Sequence, residues 1–168
     1  MSYSPPRKLL RSDITDGFCS GAAELDSWLD RYAFVNQRAN NAVTYVSTDG
    51  DRVVGYYSIV VAAVELAHVP DRLTKGGRPA ELPCILLARL AVDESASGRG
   101  LGVGLLQDSL KRAAVISESI GAAAFLIHAR DEEARKFYLH HGNFLDSPTD
   151  PLHLFLPMKD VRREFLST

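Results

Sequence analysis

Apolar side chains recur along the chain in two periods, and the switches between them outline its elements. From Leu25 the apolar positions Leu25, Trp28, Leu29, Tyr32 and Ala33 stand at i, i+3, i+4, i+7 and i+8. That spacing lays one stripe along a helix and leaves Asp26, Asp30 and Arg31 to water. Residues 8–10 read as a short first strand. Residues 43–48, rich in β-branched and aromatic side chains, read as another. Asp49-Gly50-Asp51 then supplies a tight turn, and residues 52–64 run back as a longer strand in which Gly55 marks a candidate bulge.

Residues 70–83 hold three prolines and the pair Gly76-Gly77, which is loop chemistry. Residues 85–92 are apolar on both faces, the pattern of a central strand covered on both sides, with Arg89 as an unexplained interruption. A glycine-rich turn over 98–104 leads into a helix carrying Leu105, Leu106, Leu110, Ala113 and Ala114 on one side. Residues 122–128 read as a buried strand, 132–141 as a short helix, and 152–158 as the strand that closes the sheet. A hairpin early and β-α-β-α-β late predict an α/β fold with a mixed sheet. No repeat or linker divides the chain, so a single domain over 1–168 is expected.

Composition narrows the class. The chain is 46% hydrophobic and 24% charged, ordinary for a globular protein. Its longest apolar runs are far too short to cross a bilayer. Arg7, Lys8 and Arg11 precede no apolar signal stretch, so a cytoplasmic protein without a membrane partner is expected. Cys19 and Cys84 offer neither a disulfide framework nor metal spacing. His140 and His141 are adjacent and diverge on a helix, so no metal site is expected. A formal charge of −2 is neutral on the question of nucleic acid, which turns on whether cations cluster.

The strongest local signal is Leu90-Ala91-Val92-Asp93 followed by Ser97-Gly98-Arg99-Gly100-Leu101-Gly102. A strand enters a glycine-rich turn that opens a helix, whose first amides lack internal acceptors and carry the positive end of the helix dipole. Glycines at 98, 100 and 102 remove side chains that would hold a phosphate away. Gly104 is followed by Leu105, so no Walker loop is present, and the dinucleotide fingerprint fails as well. A plain connection that binds nothing is the alternative, although three glycines would then weaken a helix start for no packing reason.

These residues resemble the GNAT superfamily of acetyl-CoA-dependent N-acetyltransferases, with Ser97 standing where Gln or Arg is usual. The segment Asp131-Glu132-Glu133-Ala134-Arg135-Lys136-Phe137-Tyr138, with Gly142 beyond it, is similar to the same family's second motif. There Asn143 displaces the usual Phe by one place, to Phe144, and Asp131 replaces Asn at a helix N-cap. The resemblance implies a GNAT fold, a mixed and mostly antiparallel sheet flanked by α-helices. It also implies acetyl-CoA as cosubstrate. By resemblance Leu90, Ala91 and Val92 lie along the pantetheine arm. Gly98, Arg99, Gly100, Leu101, Gly102 and Val103 hold the diphosphate, and Asp131 and Phe137 complete the coenzyme site. Tyr138 is implied as the general acid, since a phenol near pKa ~10 can protonate a leaving thiolate near ~8.5. Its i, i+3, i+4 spacing with Ala134 and Phe137 also suits a packed core tyrosine. His128, at a strand end, is a candidate base, although a lone histidine in such a place is more often structural.

The resemblance tightens at Leu25-Asp26-Ser27-Trp28-Leu29, Gly55-Tyr56-Tyr57-Ser58, residues 87–93, and the stretch from Ser147 to Asp160. Those segments look like the TacT-like toxins of bacterial toxin–antitoxin pairs. This implies acetylation of the amino group on aminoacyl-tRNA, arrest of translation, and a ribbon–helix–helix antitoxin as partner, with a homodimer among the arrangements allowed. For the tRNA the candidate contacts are Arg72, Lys75, Arg78, Arg89 and Lys159, with Arg162 and Arg163 crowding the C-terminus beside Lys159 and Arg99 flanking the expected cleft, and with Asp71, Glu81, Asp160 and Glu164 interspersed. Two other readings stay open: an acetyltransferase for a small amine or protein N-terminus, and an idle acyl-CoA-binding partner of a DNA-bound antitoxin.

Overall fold

The computed structural model describes residues 2–166. Seven strands form one sheet in the order β1-β2-β3-β4-β5-β7-β6. They are β1 (Arg7–Lys8), β2 (Val43–Asp49), β3 (Arg52–Glu65), β4 (Glu81–Val92), β5 (Ala124–His128), β6 (Leu145–Asp146) and β7 (His153–Pro157). The helices are α1 (Ala23–Arg31), α2 (Ala33–Arg38), α3 (Asp71–Thr74), α4 (Leu101–Ile116), α5 (Glu132–His140) and α6 (Met158–Phe165). β4 and β5 pair in parallel, from Cys84↔Ala124 to Leu87↔Ile127, well before β4 ends. The pairs β1–β2, β2–β3, β5–β7 and β6–β7 are antiparallel, so the mixed, mostly antiparallel sheet expected from the sequence is present. No helix among the described residues is long and apolar enough to cross a membrane.

The chain packs as two compact units, residues 1–60 with 88–109 and residues 61–87 with 110–168. In the first, Leu9, Phe18, Leu29, Ala33, Val46, Val53, Tyr56 and Ala91 form the core, with Leu25, Trp28 and Phe34 packed against it. The hairpin turns at Gly50, whose φ of +62° suits a residue without Cβ. The ladder slips between Ser47 and Thr48, which leaves Val54 as the extra residue beside Gly55. Gly55 itself has a packing reason. A Cβ there would stand 3.0 Å from the side chains of Leu101 and Leu105, so the glycine lets α4 lie close on β3.

The predicted stripe on the first helix is only partly realised. Leu29 and Ala33 are buried, but Tyr32 is 52% exposed. The chain leaves helical geometry at Tyr32, with φ −121°, and α2 starts afresh. A stripe drawn for one straight helix does not survive that break. Two further expectations are corrected. Residues 70–83 are not all loop, because α3 occupies Asp71–Thr74 and β4 already starts at Glu81. Pro83 is tolerated in the strand because its carbonyl is the group used there, accepting from the Ala123 amide at 2.8 Å. Nor does the strand near the C-terminus close the sheet. β7 lies inside, and the two-residue β6 is the outer strand.

In the second unit Val69, Leu73, Leu82, Cys84, Ala124, Leu126 and Phe155 form the core. α6, absent from the sequence expectation, buries Met158 and Val161. Gly142 has a steric reason, since a Cβ there would meet the Phe144 ring at 2.6 Å. That part of the second motif therefore serves packing.

Candidate coenzyme turn and basic cleft

The turn before α4 is anchored by Asp93, a buried carboxylate at the end of β4. It accepts from the Cys19 amide (2.8 Å), the Ser95 amide (3.0 Å) and the Ser95 hydroxyl (2.5 Å). Burial alone would raise its pKa, but these donors and the Arg52 charge hold it below the usual carboxylate range. A 3-10 turn over Glu94–Ala96 follows. Gly98 and Gly100 then adopt φ of +76° and +78°, which L side chains rarely adopt, and the space where a Cβ would sit is open at both. Gly102 and Gly104 lie inside α4 rather than in the turn, which shortens the glycine-dependent segment to residues 98–100. The first amide to close back onto the turn is that of Gly104, donating to Gly100 at 3.0 Å. The amides of Leu101, Gly102 and Val103 have no backbone acceptor among the described residues. Such amides at a helix N-terminus suit an anion. The turn fits a diphosphate on its geometry. Arg99 is exposed and donates to the Tyr3 hydroxyl at 3.1 Å. Of the last residues of β4, Ala91 is buried while Leu90 and Val92 are half-buried.

Arg89 acquires its explanation in the first unit. Its guanidinium lies over the Trp28 ring, 4.1 Å from the centroid, and Trp28 stacks on Tyr56, whose hydroxyl donates to the Leu25 carbonyl at 2.7 Å. Partial burial lowers the Arg89 pKa, and the Tyr56 hydroxyl acts the other way. The aromatic face carries the charge where a carboxylate would be the usual partner. Only Trp28, already noted at helical spacing, gave a sequence signal for this pairing.

In the second unit Asp131 caps α5, accepting from the Ala134 amide at 2.8 Å, and pairs with Arg130 at 2.7 Å. Tyr138 is 6% exposed, and its hydroxyl bonds to no other described residue. Burial pushes its pKa well above that of a free phenol, so it stays protonated at neutral pH. Phe137 stands edge-on to Tyr138, with centroids 5.4 Å apart. His128 stacks on His153 at 3.9 Å, and His153 Nε2 lies 3.3 Å from Asp150. Desolvation, then the neighbouring His153 ring, hold His128 below its ordinary pKa, while Asp150 opposes them. Burial pushes the Cys84 thiol up to about 12, which suits an inert core residue. No cluster of metal-ligating side chains occurs among the described residues.

The second unit also contains a cleft of about 700 Å³. Arg72, Lys75, Arg78 and Lys159 line it together, joined by Arg162, while Arg89 is not among its lining residues. Of the C-terminal cations noted beside Lys159, Arg163 does not line the cleft and Arg162 does. Its spacing of three from Lys159 places both on one side of α6, a helix the sequence did not announce. Its Nε and Nη2 donate to the Ser117 hydroxyl and carbonyl, both at 2.8 Å, fixing its stem beyond the end of α4. Arg72 pairs with Asp160 at 2.8 Å. Lys75, Arg78 and Lys159 have no ion-pair partner among the described residues.

The chain is similar to known proteins. The profile described as "Acetyltransferase (GNAT) family" matches residues 9–142. A tRNA-acetylating toxin of Mycobacterium tuberculosis is 43% identical over 160 residues, covering 95% of each chain. A probable toxin TacT of Sinorhizobium fredii is 32% identical over 163 residues, covering 90% of this chain and 88% of its own. Among solved structures, a mutant of KacT superposes with a TM-score of 0.90 at 23% identity, covering 98% of this chain and 100% of that one. AtaT complexed with acetyl-methionyl-tRNAfMet reaches 0.87 at 23% identity, covering 98% and 99%. Both structures attest the fold. The chain thus belongs to the GNAT acetyltransferase family, in its TacT-like branch, and is an acetyl-CoA-dependent acyltransferase.

Proposed function

We propose that this enzyme is a toxin that acetylates the amino group of aminoacyl-tRNA and so blocks translation. The observation that carries the reading is the convergence of Arg72, Lys75, Arg78, Lys159 and Arg162 on one cleft. Three of these cations lack a counter-charge among the described residues, and a phosphate-rich acceptor is the partner such a surface suits. The 43% identity to a tRNA-acetylating toxin supports the same acceptor. A ribbon–helix–helix antitoxin is the proposed protein partner. AtaT has been solved bound to the C-terminus of its antitoxin AtaR, and the KacTA complex has been solved with DNA.

In this reading the amides of residues 98–103 grip the coenzyme diphosphate, and Arg99 adds charge outside them. The main chain of Leu90, Ala91 and Val92 receives the pantetheine arm, and Asp131 and Phe137 complete the site from α5. The free amine attacks the thioester carbonyl carbon directly, the C–N bond forms, and the C–S bond breaks. The departing sulfur takes the Tyr138 proton, and the phenolate is reprotonated through water from the ammonium that the attack creates. Burial makes Tyr138 a weaker acid than a free phenol. The same desolvation raises the pKa of a thiolate beside it, so donor and acceptor remain matched. An amine of low pKa needs no dedicated base, which fits the lack of an obvious one.

Reversing Lys75, Arg78 and Lys159 to Glu should abolish acetylation of charged tRNA while coenzyme binding, followed by calorimetry, persists. Undiminished tRNA acetylation by that variant would refute the reading.

A further inference from the structure

The cleft has a shape that contact with a duplex backbone does not call for. A nucleic-acid duplex is convex, and its phosphodiesters carry one charge each on the outside, where a ridge or flat patch of cations meets them. Here the cations instead surround a concave space of about 700 Å³, with Pro83, Ala122, Pro157 and Met158 among its lining. Lys75, Arg78 and Lys159 are exposed and unpaired among the described residues. Arg72 is partly neutralised by Asp160, and two nitrogens of Arg162 are occupied by Ser117.

A chain end differs from the middle of a chain in every relevant respect. Its phosphate stands at the end of the stem with no diester beyond it, so it can enter a concavity. As a phosphate monoester it carries between one and two negative charges at neutral pH, with three acceptor oxygens. Its first ribose and base present apolar faces that match a lining of proline, alanine and methionine. Three cations unpaired among the described residues, around a space large enough for one nucleotide, are what such a group requires.

We propose that this cleft binds the terminal 5′-monophosphate of the RNA acceptor. Lys75, Arg78 and Lys159 hold the phosphate, and the apolar lining receives the first nucleotide. The inference rests on the tRNA reading above and adds to it the chemical group recognised. It predicts that the enzyme distinguishes two RNAs identical in sequence and in aminoacyl group.

The test uses one tRNA prepared with a 5′-monophosphate and with a 5′-hydroxyl, aminoacylated after that treatment and assayed with acetyl-CoA. The 5′-hydroxyl RNA should be acetylated with kcat/KM lower by about tenfold, in KM rather than kcat, because charge-assisted hydrogen bonds made before the chemical step are lost. In the variant Lys75→Met/Arg78→Gln/Lys159→Met the two RNAs should become equivalent, with folding checked by Tm. The exposed single change Lys75→Met should narrow the difference if the triple variant does not fold. Equal kcat/KM for both RNAs with the wild-type enzyme overturns the proposal and leaves the cleft as a holder of internal diesters. So does a variant that weakens both RNAs by the same factor. Failure to acetylate either RNA would remove the tRNA reading itself, a separate result.

Discussion

In the turn before α4 the groups offered to a ligand are main-chain amides, whereas in the cleft lined by Arg72, Lys75, Arg78, Lys159 and Arg162 they are the ends of long side chains. The amides of Leu101, Gly102 and Val103 are aimed by two glycines at positive φ and by the helix they begin. Orienting them costs nothing further when a ligand arrives, and a single misplaced backbone torsion disarms them all. The cleft works the other way. Lys75, Arg78 and Lys159 stand free in solvent, and ordering each costs side-chain entropy when it binds. No one of them is indispensable, but all respond to ions in solution. A backbone site should therefore be brittle to mutation and indifferent to salt, and a charge site the reverse.

The largest expected effect separates both kinds of binding from the chemistry. Tyr138→Phe removes one hydroxyl that bonds no other described residue, so the fold should tolerate it. Acetyl transfer should fall by about 10²-fold or more if the phenol is the acid, while calorimetry still detects coenzyme. An unchanged turnover would make Tyr138 a packing residue.

The next effect tests brittleness. Gly100→Val places a β-branched side chain at φ +78°, a region that costs an L residue roughly 1–2 kcal/mol. Either the turn keeps its shape at that cost or it relaxes and misdirects the amides. Coenzyme affinity should drop by about tenfold, and RNA binding in a gel-shift assay should not move. Equal loss of both ligands would erase the distinction between the two regions.

Salt probes the cleft. Neutralising single-stranded phosphates gives a log–log slope of about −0.7 per phosphate, so one terminal phosphate held by three cations predicts that the cleft contributes a slope of about −1 to RNA binding between ~50 and ~200 mM salt. Coenzyme binding should show a much shallower dependence. Similar slopes would mean that the turn, too, binds chiefly by side-chain charge.

The smallest effect concerns stability. Asp93→Asn leaves three donors facing a weaker acceptor, at a cost of about 1–2 kcal/mol at pH 7. The carboxyl is held below its ordinary pKa in the fold, so its contribution is fully present above about pH 4, the unfolded value. It is lost as pH falls through the folded value. Chemical denaturation of both proteins should therefore converge at low pH. A gap that does not narrow as pH falls below about 4 would show that the carboxylate charge is not what stabilises this turn.

Features whose physics is complete within a few residues were legible in the sequence. The glycines at 98 and 100 mark a turn that L side chains resist, Asp131 caps the helix that follows it, and Leu105, Leu106, Leu110, Ala113 and Ala114 all proved buried on α4. Each depends on local torsions, one capping bond or a helical repeat, so adjacency in the chain suffices. Tyr32 marks the limit of that logic, because one non-helical residue rotated it out of the stripe.

Tertiary structure decided what distant segments do together. Arg89 looked like an intrusion in an apolar strand until α1 brought Trp28 over it. The two-residue strand β6 exists only because Leu145 and Asp146 meet Phe155 and Leu154. The cleft draws on residues 72–78, 83, 121–123 and 157–162, and no spacing in the chain connects Lys75 to Lys159. Opposite charges such as Asp160 were as close in sequence as the cations themselves, and only packing determined that Asp160 would face Arg72 while three cations stayed open. Charge acts through space, so its function waits for the fold, whereas a glycine's torsion is settled where it stands.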